Sequence, residues 1–73
     1  MTLAELKPGE RAKITQVDVF NYTLRIMELG LFPGVIIGVS SVAPLGDPIV
    51  IQLESSALSI RKADAMKIQI EKI

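Results

Sequence analysis

Nucleophilic catalysis needs a Ser, Thr or Cys beside a base, and this chain supplies hydroxyls without one. It has no Cys and no His, so Ser40, Ser41, Ser55, Ser56 and Ser59 lack the usual group that would take their proton. They read as turn and strand-face residues. Without thiolate or imidazole, the two commonest ligands for iron, zinc and copper are also missing, so neither a dedicated metal site nor a cofactor is expected. Asp47 and Glu54 could hold a hard cation only weakly. The eight carboxylates are scattered among segments rather than coupled as acid and base. Arg25 and Glu28, three residues apart, suit a local ion pair. No phosphate-cradling glycine loop appears, and the chain is read as a non-enzyme.

Charge narrows the partners. Eight Lys and Arg balance eight Asp and Glu, so no long-range field gathers nucleic acid or anionic lipid. The runner-up function is a small nucleic-acid-binding β-barrel, which needs aromatics on a basic strand face. The three aromatics, Phe20, Tyr22 and Phe32, fall in or beside a predicted helix, while Arg11, Lys13, Arg61, Lys62, Lys67 and Lys72 read as a solvated face. Nucleic acid is therefore not an expected partner. Residues Met1 to Glu10 lack a basic n-region and an apolar h-region, and no aliphatic run could span a bilayer. A cytoplasmic location without membrane insertion is expected.

The elements that must position any surface follow from the punctuation. Over 73 residues one domain, 1–73, is expected. Thr2 can cap a helical turn carrying Leu3 and Leu6, and Pro8-Gly9 suits a type II turn. Period-2 alternation predicts strands over 10–17, 35–42, 48–54, 58–61 and 67–73, with a bulge or a strand end near Gln16 where Val17 breaks parity. A helix capped by Asp18 or Asn21 runs to Leu29, where Gly30 ends it and Leu31 supplies the accompanying apolar contact. Residues 62–66 suit one helical turn. Gly30, Gly34 and Gly38 read as turn and bulge residues. This is an all-β chain: a small, closed five-stranded barrel with one short helix after the first strand and helical turns near both ends.

That helix carries two apolar faces. At about 100° per residue, Tyr22, Ile26 and Leu29 share an arc of roughly 60°, with Leu24 and Met27 nearly opposite, joined by Phe20 and Leu31 if the turns continue. Two turns press one arc against a barrel, so the other needs cover. Hydrophobic residues make up 49% of the chain, with mean hydropathy +0.44. A domain this small cannot waste apolar side chains on its surface, so part of the surplus is read as meant for a partner, in a docking patch built from Phe20, Leu24, Met27, Leu31 and Phe32, flanked by Ala43, Pro44 and Leu45 of the loop at 43–48. The alternative is cover from within, by that loop or by Leu3 and Leu6. Weak homo-oligomerisation through the same patch is a further expectation.

The run Arg25-Ile26-Met27-Glu28-Leu29-Gly30-Leu31-Phe32-Pro33-Gly34 resembles the R-L-x-E-L-G-L-x-P-G signature of the FeoA family, ferrous iron transport protein A. The likeness continues in Ala43-Pro44-Leu45-Gly46-Asp47-Pro48, in Ser59-Ile60-Arg61-Lys62 with Ala65, and in Gly9, Ala12 and Ile14. It departs at Phe32, where the family usually has a small or polar residue, and at Glu54-Ser55-Ser56, which lacks a turn glycine. The resemblance implies an SH3-like barrel and a cytoplasmic accessory of FeoB, the ferrous iron transporter with a GTP-binding domain. On that reading the partner docks on the helix's second arc, with Leu24 and Met27 as anchors.

Overall fold

The structure, a computed structural model, describes residues 1–18 and 23–73, the side chains of residues 23–25 excepted. A 3-10 turn over Leu3–Glu5 leads into β1 (Arg11–Val17), α1 (Thr23–Glu28), β2 (Ile36–Val42), β3 (Ile49–Gln52), β4 (Ala57–Ile60), α2 (Lys62–Ala65) and β5 (Ile68–Lys72). All pairings are antiparallel, in the order β4-β3-β2-β1-β5. Every predicted strand is present; four are shorter than their patterns by a residue or more, and β4 keeps the predicted length but starts one residue earlier.

Alternation builds the core. Ala12 and Ile14 of β1, Ile37 and Val39 of β2, Ile49 and Ile51 of β3, Ile60 of β4, and Ile68 and Ile70 of β5 all face inward and are buried. Leu3 and Leu6 close one end, with Ala65 of α2 against them. Among the described residues no polar or charged side chain is buried, so the interior holds together by apolar packing and backbone bonding alone.

Expected closure of the barrel does not occur. Among the described residues no ladder joins β4 to β5. The outer side of β5 is taken by the start of the chain: Thr2 bridges Gln69, and the Ile70 N–H donates to the Met1 carbonyl at 2.9 Å. Those bonds occupy the groups that closure would use. This explains why Thr2 does not cap as expected. It sits extended at φ −104°, makes no side-chain cap bond and serves as a bridge residue instead.

β1 shifts register between Ile14 and Gln16, as the break in alternation predicts. β2 shifts between Val39 and Ser41, two residues past Gly38, which itself pairs regularly with Arg11 and Gln52. Gly38 is thus a ladder residue, and the bulge at Ser40 lets one strand bend from β1 toward β3.

Turn chemistry fixes the connections. The Glu10 N–H donates to the Lys7 carbonyl at 3.0 Å around Pro8 and Gly9, whose φ of 87° meets the type II requirement. The β3–β4 turn forms without glycine. There the Leu53 N–H donates to Ser56 O at 2.8 Å, and Gln52 Nε2 donates to Leu53 O and Ser56 O. Arg61, at the cap position of α2, has no side-chain acceptor, and Asp47 from the β2–β3 loop supplies one. Its Oδ1 accepts the Lys62 N–H at 2.9 Å, tying that loop to α2. Glu10 joins the start of β1 to the end of β5 through an ion pair with Lys72, and also accepts the Lys7 N–H at 2.8 Å. The Lys72 ammonium, with the Lys7 N–H second, holds the Glu10 carboxyl below its ordinary pKa.

Candidate docking surface

The C-terminal end of α1 sorts the apolar side chains. The Leu31 N–H reaches back to the Ile26 carbonyl at 3.3 Å and the Gly30 N–H to the Met27 carbonyl at 3.0 Å, with Gly30 at φ 99°. These two bonds define a Schellman ending, in which the residue after the glycine packs against the last turn of the helix. Leu31 is consequently sealed, at 0% exposure, beside buried Ile26. It therefore leaves the surface on which the continued helical pattern would place it. Leu29 moves the other way. Grouped with Ile26 on the inner arc, it is 47% exposed, because its N–H bonds the carbonyl of Ile26, three residues back, and the tightened turn breaks the 100° phase.

What remains outside is a run of large apolar side chains, Met27, Leu29, Phe32 and Ile36, each more than a third exposed. Phe20 lies outside the described residues, and Leu24 lies in α1 with its side chain outside them. Gly30 is near Leu53, whose Cδ1 would lie 3.6 Å from a Cβ added at Gly30. The described end of α1 thus sits where β2 begins and β3 ends. Leu45, at 97% exposure, caps the opposite end of β2, with Pro44 exposed and Ala43 half-buried. About 20 Å of strand separates Ile36 from Val42. A surface uniting Phe32 with Leu45 would have to run the length of β2.

Along β2 such a surface does find relief. An open groove of about 840 Å³ follows its first half, with Gly38 in its lining, Ile36 and Leu53 as apolar lining and Glu10, Arg11 and Glu54 as charged lining. The patch expected from the sequence omits Ile36 and Leu53 and takes Gly38 for a turn or bulge residue. Two signals point to Ile36 and Gly38, and none to Leu53. Three consecutive aliphatics, Val35-Ile36-Ile37, cannot all face inward on a strand, and a glycine inside a strand marks a place where something approaches the backbone.

The chemistry of the rest is plain. All five candidate serines are exposed, as are the six basic residues named above. Among the described residues no three acidic groups gather where a metal ion could be held. Asp47 and Glu54 flank the two ends of β3, Asp47 engaged in capping α2. No helix among the described residues is long and apolar enough to cross a membrane.

The FeoA domain model matches residues 1–72. A fusion of Fe(2+) transport protein A with the Fe(2+) transporter FeoB from Porphyromonas gingivalis is 38% identical over the whole chain, which spans only 9% of that protein. FeoA protein from Chlorobium tepidum, solved in solution, superposes with a TM-score of 0.91 at 38% identity, over 100% of this chain and 70% of that one. Stenotrophomonas maltophilia FeoA, a prokaryotic SH3 domain protein crystallised with zinc, superposes with a TM-score of 0.83 over 97% of this chain and 89% of that one. At 24% identity it speaks for the fold alone, a small all-β SH3-like architecture. The chain belongs to the FeoA domain family.

Proposed function

We propose that this chain is a non-enzymatic accessory of ferrous iron uptake that docks on the cytoplasmic part of a FeoB-type transporter. The observation that carries the reading is the exposure of Met27, Leu29, Phe32 and Ile36, four large apolar side chains within ten residues of sequence that stand outside the buried core. A relative in which the same domain is fused to FeoB supplies the class of partner. Phe20 and Leu24, read from the sequence as part of the same surface, would extend it from the helix. Ala43, Pro44 and Leu45 form a second contact region at the far end of β2.

Fully buried aliphatic and aromatic side chains contribute roughly 1.5–3 kcal/mol each. Three or four of them, less the entropy of association, give a weak and transient complex, as suits an accessory that regulates rather than builds.

Capture of the transporter's soluble domain, with and without guanine nucleotide, tests this directly. Wild-type chain is expected to be retained, and Met27→Asp or Phe32→Asp to abolish retention with the melting temperature nearly unchanged. Retention unaffected by both substitutions would remove the α1 surface from the reading. No retention of wild type in either nucleotide state would remove the partner.

A further inference from the structure

The two outer strands of the sheet are protected unequally. β5 is covered by Met1 and Thr2. β4 is paired only with β3, and among the described residues nothing bonds its other side. An uncovered edge is normally blunted by Lys, Pro or a bulge. β4 reads Ala-Leu-Ser-Ile and has none of these.

Its bonding parity can be worked out. The pair Leu53 and Ser56 is bonded, and opposed residues in an antiparallel pair alternate between bonded and unbonded. With Gln52 opposite Ala57, Ile51 opposite Leu58 and Val50 opposite Ser59, Leu58 bonds β3. Ala57 and Ser59 therefore turn their N–H and C=O groups outward. Both residues are exposed, and their small side chains leave the approach open.

The segment is also self-complementary in charge. Glu54 precedes β4, and Arg61 and Lys62 follow it. All three are exposed, with no ion pair among the described residues. We infer that the free edge of β4 is an interface for a second copy of this chain, forming one continuous antiparallel sheet about a two-fold axis at Leu58.

In that register Ala57 exchanges both backbone bonds with Ser59 of the partner subunit, and Ser59 with Ala57 of the partner subunit. Half-buried Leu58 meets its own copy at the unbonded central position, where strands approach to about 4.5 Å between Cα atoms. The antiparallel sense brings the turn that carries Glu54 in one copy toward the Arg61 and Lys62 end of β4 in the other, and the symmetry makes that approach twice. The parallel arrangement would set Glu54 beside Glu54 and lose both attractions. A contact this short forms a weak dimer, on a surface separate from the one proposed for the transporter.

Sedimentation equilibrium of the 73-residue chain up to about 1 mM, with amide exchange followed by NMR, tests it. Mass should rise with concentration while exchange at Ala57 and Ser59 slows and that at Leu58, already bonded to β3, stays constant. E54K and K62E should each raise Kd about tenfold by replacing two attractions with two repulsions, and E54K/K62E together should restore it. Should either reversal disturb folding, as a lowered melting temperature would reveal, E54Q and K62Q should each still raise Kd about threefold. The inference is overturned by a single-protomer mass at 1 mM. It is equally overturned by association that leaves exchange at Ala57 and Ser59 unchanged, which would place the contact on the α1 surface, or by a double variant as weak as the singles.

Discussion

On either side of Gly30 two sets of large apolar residues lie within a few positions of one another and meet opposite fates. Ile26 and Leu31 are sealed in the core, while Met27, Leu29 and Phe32 stand in solvent. Hydrophobicity does not separate them, since a Leu appears in both sets. Backbone geometry does, through the paired bonds that end α1 and turn the chain so that Leu31 points back toward Ile26. A helix only six residues long can therefore serve as core and as surface at once.

The sharpest way to break that comparison is to truncate one member of each set. Leu31→Ala should lower stability by about 2–5 kcal/mol, since it removes a fully buried side chain and leaves a cavity. Phe32→Ala should change it by less than about 1 kcal/mol. Chemical denaturation of the two variants reads the difference, and equal losses would mean that Phe32 belongs to the packed interior. In a small domain whose whole stability is typically some 5–15 kcal/mol, the Leu31 variant stands close to unfolding.

Gly30→Ala probes the hinge between the sets. An added Cβ meets Leu53 Cδ1 at ordinary contact distance, 3.6 Å, so crowding is not the obstacle. The φ of 99° is, and a substitution there should cost about 1–2 kcal/mol. Asp47→Ala, which uncaps α2, should cost about 1 kcal/mol, with Asp47→Asn recovering most of it because its side-chain oxygen still accepts the Lys62 N–H. Failure of Asn to recover would assign the effect to charge rather than to capping.

How far these outcomes could be foreseen differs by element. Strands were legible because period-2 alternation reports directly on a half-buried sheet, and the Gln16 bulge because Val17 breaks parity. Gly30 as a stop and Leu31 as its apolar contact were legible too, yet the same Leu31 fitted a continued helical wheel, and the wheel ignores the turn that glycine makes. Open closure was not legible. It depends on Met1 and Thr2 pairing with Gln69 and Ile70, a contact between the ends of the chain that no local pattern encodes. Asp47 capping a helix fifteen residues away escapes sequence reading for the same reason. At the candidate surface the residue types were readable, while the distance from Phe32 to Leu45 followed only from which end of β2 each one borders.

The smallest effect expected lies far from both apolar sets, at the Glu10 ion pair that ties β1 to β5. Lys72 and the Lys7 N–H favour the carboxylate in the folded chain, so its pKa is lowered relative to the unfolded state. Between the two values the unfolded chain binds more protons, and stability must rise with pH across that window. The contribution is complete above the ordinary carboxylate range and disappears as pH falls through the folded-state value. Glu10→Gln should thus melt slightly below wild type at pH 7, the gap narrowing at acidic pH. At neutral pH 1 M salt should narrow it too, because the pair is partly exposed and its attraction is screened. A gap independent of both pH and salt would mean that Glu10 acts through its hydrogen bond to the Lys7 amide, which a neutral glutamine oxygen only partly replaces, and not through its charge.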